Sequence, residues 1–244
     1  MLERSARYLF SLCLGAGLVA CGGDDTYSSD VTAPGGYYEG RLTPDGSETG
    51  VPVEGIVAEN GQMLLLDDSE RLYLGRLQAR GAAFSGDYRT FNMLGQRGPA
   101  ITTGQFSGTA EERIGLEGRF TEAGGSRGSF SFDYLAAGYE TPSSLALVSG
   151  SWSQGGVFTI SETGVLSGTN DYGCSYTGRL SIINAAYSPY GLQLTETCGT
   201  TVRSMSGLAL YRRDSLSPGL LEFGEGLVLA AADAEEAVLM GLRR

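Results

Sequence analysis

Histidine is absent from the 244 residues, and so is lysine, so all 17 basic side chains are arginines. Without imidazole there is no Ser-His-Asp triad, no Cys-His dyad and no histidine metal ligand. Without lysine there is no Schiff-base nucleophile. An enzyme built from this chain would have to run on carboxylates, tyrosine or a lone serine, and the expectation is a non-catalytic protein with no metal and no cofactor. Positive charge is also scarce. The net charge of -11 argues against nucleic acid, because an acidic body gains nothing from counterion release at a phosphate backbone, and anionic headgroups repel it. Cysteine occurs four times.

What is present begins with an address. Arg4 and Arg7 precede a roughly dozen-residue apolar run from Tyr8 to Val19, too short to span a bilayer and flanked as a secretory signal is. The run ends in Leu18-Val19-Ala20-Cys21, which resembles the lipobox of bacterial envelope lipoproteins. That resemblance implies removal of residues 1–20, a diacylglycerol on the Cys21 thiol and acylation of the new N-terminus. Cys13 follows the large Leu12 and is read as part of the apolar segment. Gly22 after the acylated cysteine, where retention at the inner membrane is associated with Asp, implies outer-membrane delivery, with the leaflet left open. The membrane contact expected is the acyl anchor. Residues 21–35 are polar, broken by Pro34, and form a flexible tether with a reach on the order of 20 Å.

Glycine, at 38 residues, is about twice its usual frequency. With β-branched and aromatic residues between the glycines, this indicates a turn-rich all-β protein rather than a disordered one. Alternating segments near 36–43, 51–59, 62–67, 71–78, 82–91, 101–109, 112–121 and 126–134 are separated by turn signals such as Pro44-Asp45-Gly46 and Asn60-Gly61. Eight strands are enough to close a small up-and-down barrel. Thr141-Pro142-Ser143-Ser144 interrupts the rhythm and caps a short helical turn over Leu145 to Val148. Strands resume near 149–154, 156–161, 164–169, 173–183, 189–198, 202–212, 219–223, 226–231 and 237–242, the last two being a hairpin or a single Ala-rich helix. The expected organisation is two small antiparallel barrels in tandem, over 36–140 and 141–244.

A weak repeat of the form apolar-x-Gly-Arg-apolar recurs at Tyr38–Leu42, Tyr73–Leu77, Leu116–Phe120 and Tyr176–Leu180. In a strand its apolar residues and glycine share the inner face, and the glycine lets the sheet coil tightly. Arg41, Arg76, Arg119 and Arg179 then point outward, either as an anion-binding ring or paired with acidic neighbours such as Glu39 and Glu117.

If a turn is centred near Ala186, Ile182 opposes Tyr190, Leu180 opposes Leu192, Gly178 opposes Leu194, Tyr176 opposes Glu196, and Cys174 meets Cys198. A structural disulfide is expected there, closing a loop of 25 residues and worth on the order of 3 kcal/mol in the chain-entropy model. No Cys-x-x-Cys and no evident basic neighbour favour a redox-active pair. The same parity turns Glu196 inward beside Tyr176, as a ligand-anchoring pair or as a wetted pair at a barrel mouth.

Gly150-Ser151-Trp152, at the first strand of the second half, resembles the Gly-x-Trp that opens the barrel of lipocalins and related calycin-like proteins; Gly36-Tyr37-Tyr38 is placed likewise in the first half. The resemblance implies a barrel with a closed bottom and an apolar cavity for a lipid-like ligand, with Trp152 either lining it beside the parity-derived candidates Tyr176 and Glu196 or simply plugging the barrel end. The basic residue that covers this tryptophan in lipocalins has no evident counterpart in the sequence. Two functions follow: a carrier of a small apolar ligand, or a surface lipoprotein contacting envelope proteins or glycans through loops bearing Tyr139, Tyr187 and Tyr190. Filled barrels would favour the second.

Overall fold

The computed structural model describes residues 34–212 and 226–244. The leader, Cys21, most of the tether and the strand expected at 219–223 lie outside them. The protein is all-β. Strands β1 (Gly36–Pro44), β2 (Val51–Val57), β3 (Gln62–Asp67), β4 (Arg71–Arg80), β5 (Ala83–Asn92), β6 (Arg97–Glu111), β7 (Gly115–Glu122) and β8 (Arg127–Tyr134) pair antiparallel with their sequence neighbours. Pairing of β1 with β8 closes them into an eight-stranded barrel.

Two one-turn helices follow, α1 (Ala136–Tyr139) and α2 (Leu145–Val148). Ser144 caps α2 as expected, its hydroxyl accepting from the Leu147 N–H at 3.3 Å. Eight further strands then run in simple antiparallel order: β9 (Gly150–Ser153), β10 (Gly156–Ile160), β11 (Val165–Asn170), β12 (Ser175–Ile182), β13 (Pro189–Cys198), β14 (Thr201–Arg212), β15 (Gly226–Ala232) and β16 (Glu236–Leu242). The chain end is the hairpin of β15 and β16, not a helix. The ends of this second run meet at one bridge, where Ser153 and Arg243 exchange backbone hydrogen bonds of 2.7 and 2.9 Å.

The halves are not two separate sheets. Arg97–Pro99 at the start of β6 pair with Glu236–Val238 of β16, so all sixteen strands belong to one sheet. Side-chain parity explains how they pack. Where one face meets solvent, buried and exposed residues alternate, as in Arg127–Tyr134 and Ser175–Ile182. Where both faces are covered, the strand reads as a continuous apolar run, as in Met63-Leu64-Leu65-Leu66 and Leu227-Val228-Leu229-Ala230-Ala231.

Odd and even positions of those runs feed different cores. Met63, Leu65 and Tyr73 point into the first barrel with Phe84, Phe106 and Phe130. Leu227, Leu229, Met240 and Leu242 join Trp152, Phe158 and Leu192 inside the second run. The alternate residues, Ile56, Leu64, Leu66 and Leu72 from one half and Leu208, Leu210, Val228 and Leu239 from the other, form a third core between the halves.

The repeat lies where its pattern requires. Its apolar residues are 5 % exposed or less, and all four arginines are exposed. A Cβ on Gly40 or Gly75 would collide with the backbone of the adjacent strand, so these glycines permit the tight coiling of the sheet.

Candidate functional site

The hairpin register is as the sequence implies, from Ile182 opposite Tyr190 to Tyr176 opposite Glu196, and Cys174 is disulfide-bonded to Cys198. Ile182 is the exception in burial: it lies 40 % exposed where β12 leaves the core. Successive inward positions thus place Cys174 and Tyr176 of one chain segment against Cys198 and Glu196 of the other.

Glu196 is 1 % exposed. Its Oε1 accepts from the Tyr176 hydroxyl at 2.6 Å and from Arg97 Nη2, while its Oε2 is buried without a hydrogen-bond partner among the described residues. Arg97 also donates to Glu236 Oε2 at 2.9 Å, and its Nη2 lies 3.5 Å from Cys198 Sγ. A basic neighbour of the disulfide therefore exists, brought from the first half by the β6–β16 pairing. Asn170 Nδ2 donates to the Tyr176 oxygen at 3.1 Å, and its Oδ1 receives the Cys174 N–H at 3.0 Å.

Burial, then the adjacent Glu196, raises the Tyr176 phenol well above its ordinary value. Desolvation opposes the charge on Arg97, but its bonds to Glu196 and Glu236 outweigh it and hold the guanidinium protonated. On β14 and the last turn, Arg203 holds Asp233 at 3.2 Å and Glu235 at 3.2 Å. Partial burial opposes ionisation of Asp233, yet the Glu236 and Glu235 N–H groups and Arg203 keep it below the usual carboxylate range.

Trp152 does not join this cluster. It packs at 6.2 Å against Tyr211, and Phe158 stands between it and the cluster, pairing with Trp152 across the sheet while its ring lies 5.6 Å from that of Tyr176. Trp152 is 2 % exposed and its indole N–H donates to the Val148 carbonyl at 2.8 Å. The guanidinium of Arg244 lies 4.5 Å from the centre of a Trp152 ring and donates to the Leu147 and Ser149 carbonyls. A basic side chain thus covers the tryptophan, a contact with no local signal in the sequence because 92 residues separate the two. Arg244→Ala should cost about 1–2 kcal/mol in urea unfolding, from the lost cation–π contact and two carbonyls left without their donor.

Comparison with protein-family models, with curated proteins and with solved structures finds no match.

The interior of the first barrel is filled. A void among Val57, Leu65, Phe106 and Phe130 in the first barrel has a volume of about 10 Å³. The larger recesses, of about 600, 490 and 400 Å³, lie against outward-facing polar residues such as Asp87, Gln105, Thr121 and Glu117. Two of the four repeat arginines have partners of their own: Arg119 pairs with Asp45 at 2.9 Å, and Arg41 donates to the Gly50 carbonyl at 2.7 Å. Two of the three expected contact tyrosines are buried. Tyr139 and Tyr190 are 1 % and 0 % exposed; Tyr139 stacks on the half-buried Tyr187, and the Tyr190 hydroxyl donates to the Ser144 carbonyl. The exposed apolar groups lie elsewhere, chiefly Tyr172 at 86 % and Leu94 at 75 %. Their turns are neighbours through Gly155, whose carbonyl accepts from Asp171 N–H and whose Cα faces Gln96.

Proposed function

We propose that this chain is a non-catalytic, lipid-anchored lipoprotein of the bacterial outer membrane whose filled β-barrels act as a scaffold for surface contacts with envelope proteins or glycans. The observation that carries this reading is the filled interior of the first barrel. A carrier of a small apolar ligand needs a cavity of about 300 Å³ or more, against the 10 Å³ void inside the first barrel. In the second run Trp152, Phe158, Leu192 and Met240 are buried together in one apolar core. We read the second run as a barrel closed by the Ser153–Arg243 bridge, with α2, Trp152 and Arg244 sealing one end in the calycin manner.

The exposed pair Leu94 and Tyr172 supports placing contacts at the rim formed by the β5–β6 and β11–β12 turns. An apolar residue held out from an acidic surface is a common anchor of a protein interface. The attachment proposed is the acyl chain on Cys21, from the Leu18-Val19-Ala20-Cys21 resemblance; no helix among the described residues is long and apolar enough to cross a membrane.

Metabolic labelling with a palmitate analogue tests the anchor. The wild type should be labelled and partition with membranes, and Cys21→Ser should be unlabelled; a labelled mutant would contradict the lipoprotein reading.

A further inference from the structure

Cys174, Cys198 and Glu196 each present a ligand atom, and these three atoms lie within 4.8 Å of one another. The register produces this grouping. Glu196 and Cys198 are two residues apart on β13 and share its inner face, and Cys174 stands across from Cys198.

The Glu196 carboxylate is engaged on one side. Oε1 carries the bonds from Tyr176 and Arg97, whereas Oε2 is out of contact with water and has no hydrogen-bond partner among the described residues. A buried carboxylate oxygen without a donor is costly, and a cation would satisfy it. In the disulfide form the sulfurs carry no charge and are poor ligands. As thiolates they would complete a two-sulfur, one-oxygen set of the kind zinc accepts, with its fourth position open to water.

We propose that Cys174, Cys198 and Glu196 bind one thiophilic divalent cation of the zinc type when the disulfide is reduced. The reductant is a dithiol. One of its thiolates attacks a disulfide sulfur, its second thiol resolves the mixed disulfide, and it leaves as its own cyclic disulfide. The two electrons and two protons it gives up remain on Cys174 and Cys198 as thiols. Cation binding then releases those two protons and forms two metal–sulfur bonds and one metal–oxygen bond. The assembled site carries one net negative charge, and Arg97, whose Nη2 lies 3.5 Å from Cys198 Sγ, stands beside it as counter-cation. The bonds from Tyr176 and Arg97 to Oε1 are the outer support that a ligating carboxylate needs.

The test uses the full chain carrying Cys13→Ser and Cys21→Ser, so that Cys174 and Cys198 are its remaining thiols. It is reduced with a dithiol, freed of reductant without air, and titrated with Co²⁺ and then Zn²⁺. One Co²⁺ per chain should bind with a thiolate-to-cobalt absorption band that Zn²⁺ abolishes, and the oxidised protein should show no band. Glu196→Gln should weaken binding about tenfold or more, and Glu48→Gln, on an exposed loop, should leave it unchanged. Absence of a stoichiometric band in the reduced protein would overturn the proposal. Equal affinity in wild type and Glu196→Gln, or in the urea-unfolded chain, would also overturn it. If Glu196→Gln does not fold, Tyr176→Phe decides: binding weakened about tenfold supports the site, and unchanged binding overturns it.

Discussion

Raising the pH above about 10 should unfold this protein cooperatively, within one to two pH units of the onset. The cause is a set of buried phenols. Tyr37, Tyr38, Tyr73, Tyr88, Tyr139 and Tyr190 are each 4 % exposed or less. Burial raises every one of them above the ordinary tyrosine value, with Glu54, Asp67, Glu122 and Glu59 adding to the shift at Tyr37, Tyr73, Tyr88 and Tyr139. Above about pH 10 the unfolded chain loses these protons and the native state keeps them, so stability falls as pH rises. Below that value their contribution is complete and constant.

Each such group contributes a slope of about 1.4 kcal/mol per pH unit, so six approach about 8 kcal/mol per unit, comparable to the whole stability of a typical domain. Circular dichroism and tyrosinate absorbance followed together should change in a single step. Gradual ionisation of these tyrosines in a chain that stays folded would contradict the buried network.

The second large effect is expected between the halves. Leu64 and Leu208 are 2 % and 1 % exposed and belong to the core that joins the first barrel to the second run. Truncating such a leucine costs about 2–5 kcal/mol, and replacing it with aspartate adds an unpaired buried charge. Leu64→Asp or Leu208→Asp should therefore lower stability by about 5 kcal/mol or more in urea unfolding. The same change at Leu94, 75 % exposed, should stay within about 0.5 kcal/mol. Because the seam and the β6–β16 pairing couple the halves, calorimetry of the wild type should show one transition; two well-separated transitions would contradict this coupling.

Strand positions were legible because the pleat forces a period of two wherever one face meets water, and glycine turns mark the ends. The β12–β13 register was legible for a further reason: apolar partners and the two cysteines had to close on one another around a single turn. The seam carried a signal too, in the unbroken Met63–Leu66 and Leu227–Ala231 runs, which alternate between two cores rather than between core and solvent.

Arg97 was not legible as a partner of Glu196. The expected strand began near residue 101, beyond Pro99, whereas β6 begins at Arg97 and pairs there with β16. Nothing local to Arg97 announces a contact 99 residues away. Arg244 over Trp152 was hidden for the same reason. The contact tyrosines misled because tyrosine signals equally a rigid surface anchor and a large core filler with a polar tip, and Tyr139 and Tyr190 are the latter.

The measurement that bears most directly on a scaffold rather than a carrier is native mass spectrometry, with lipid extraction, of the soluble chain from residue 22 onward purified from a periplasm. The proposed scaffold, with the first barrel filled, predicts an empty, compact protein at the mass of its sequence. A stoichiometric small molecule retained through purification would contradict the filled interior and restore the carrier.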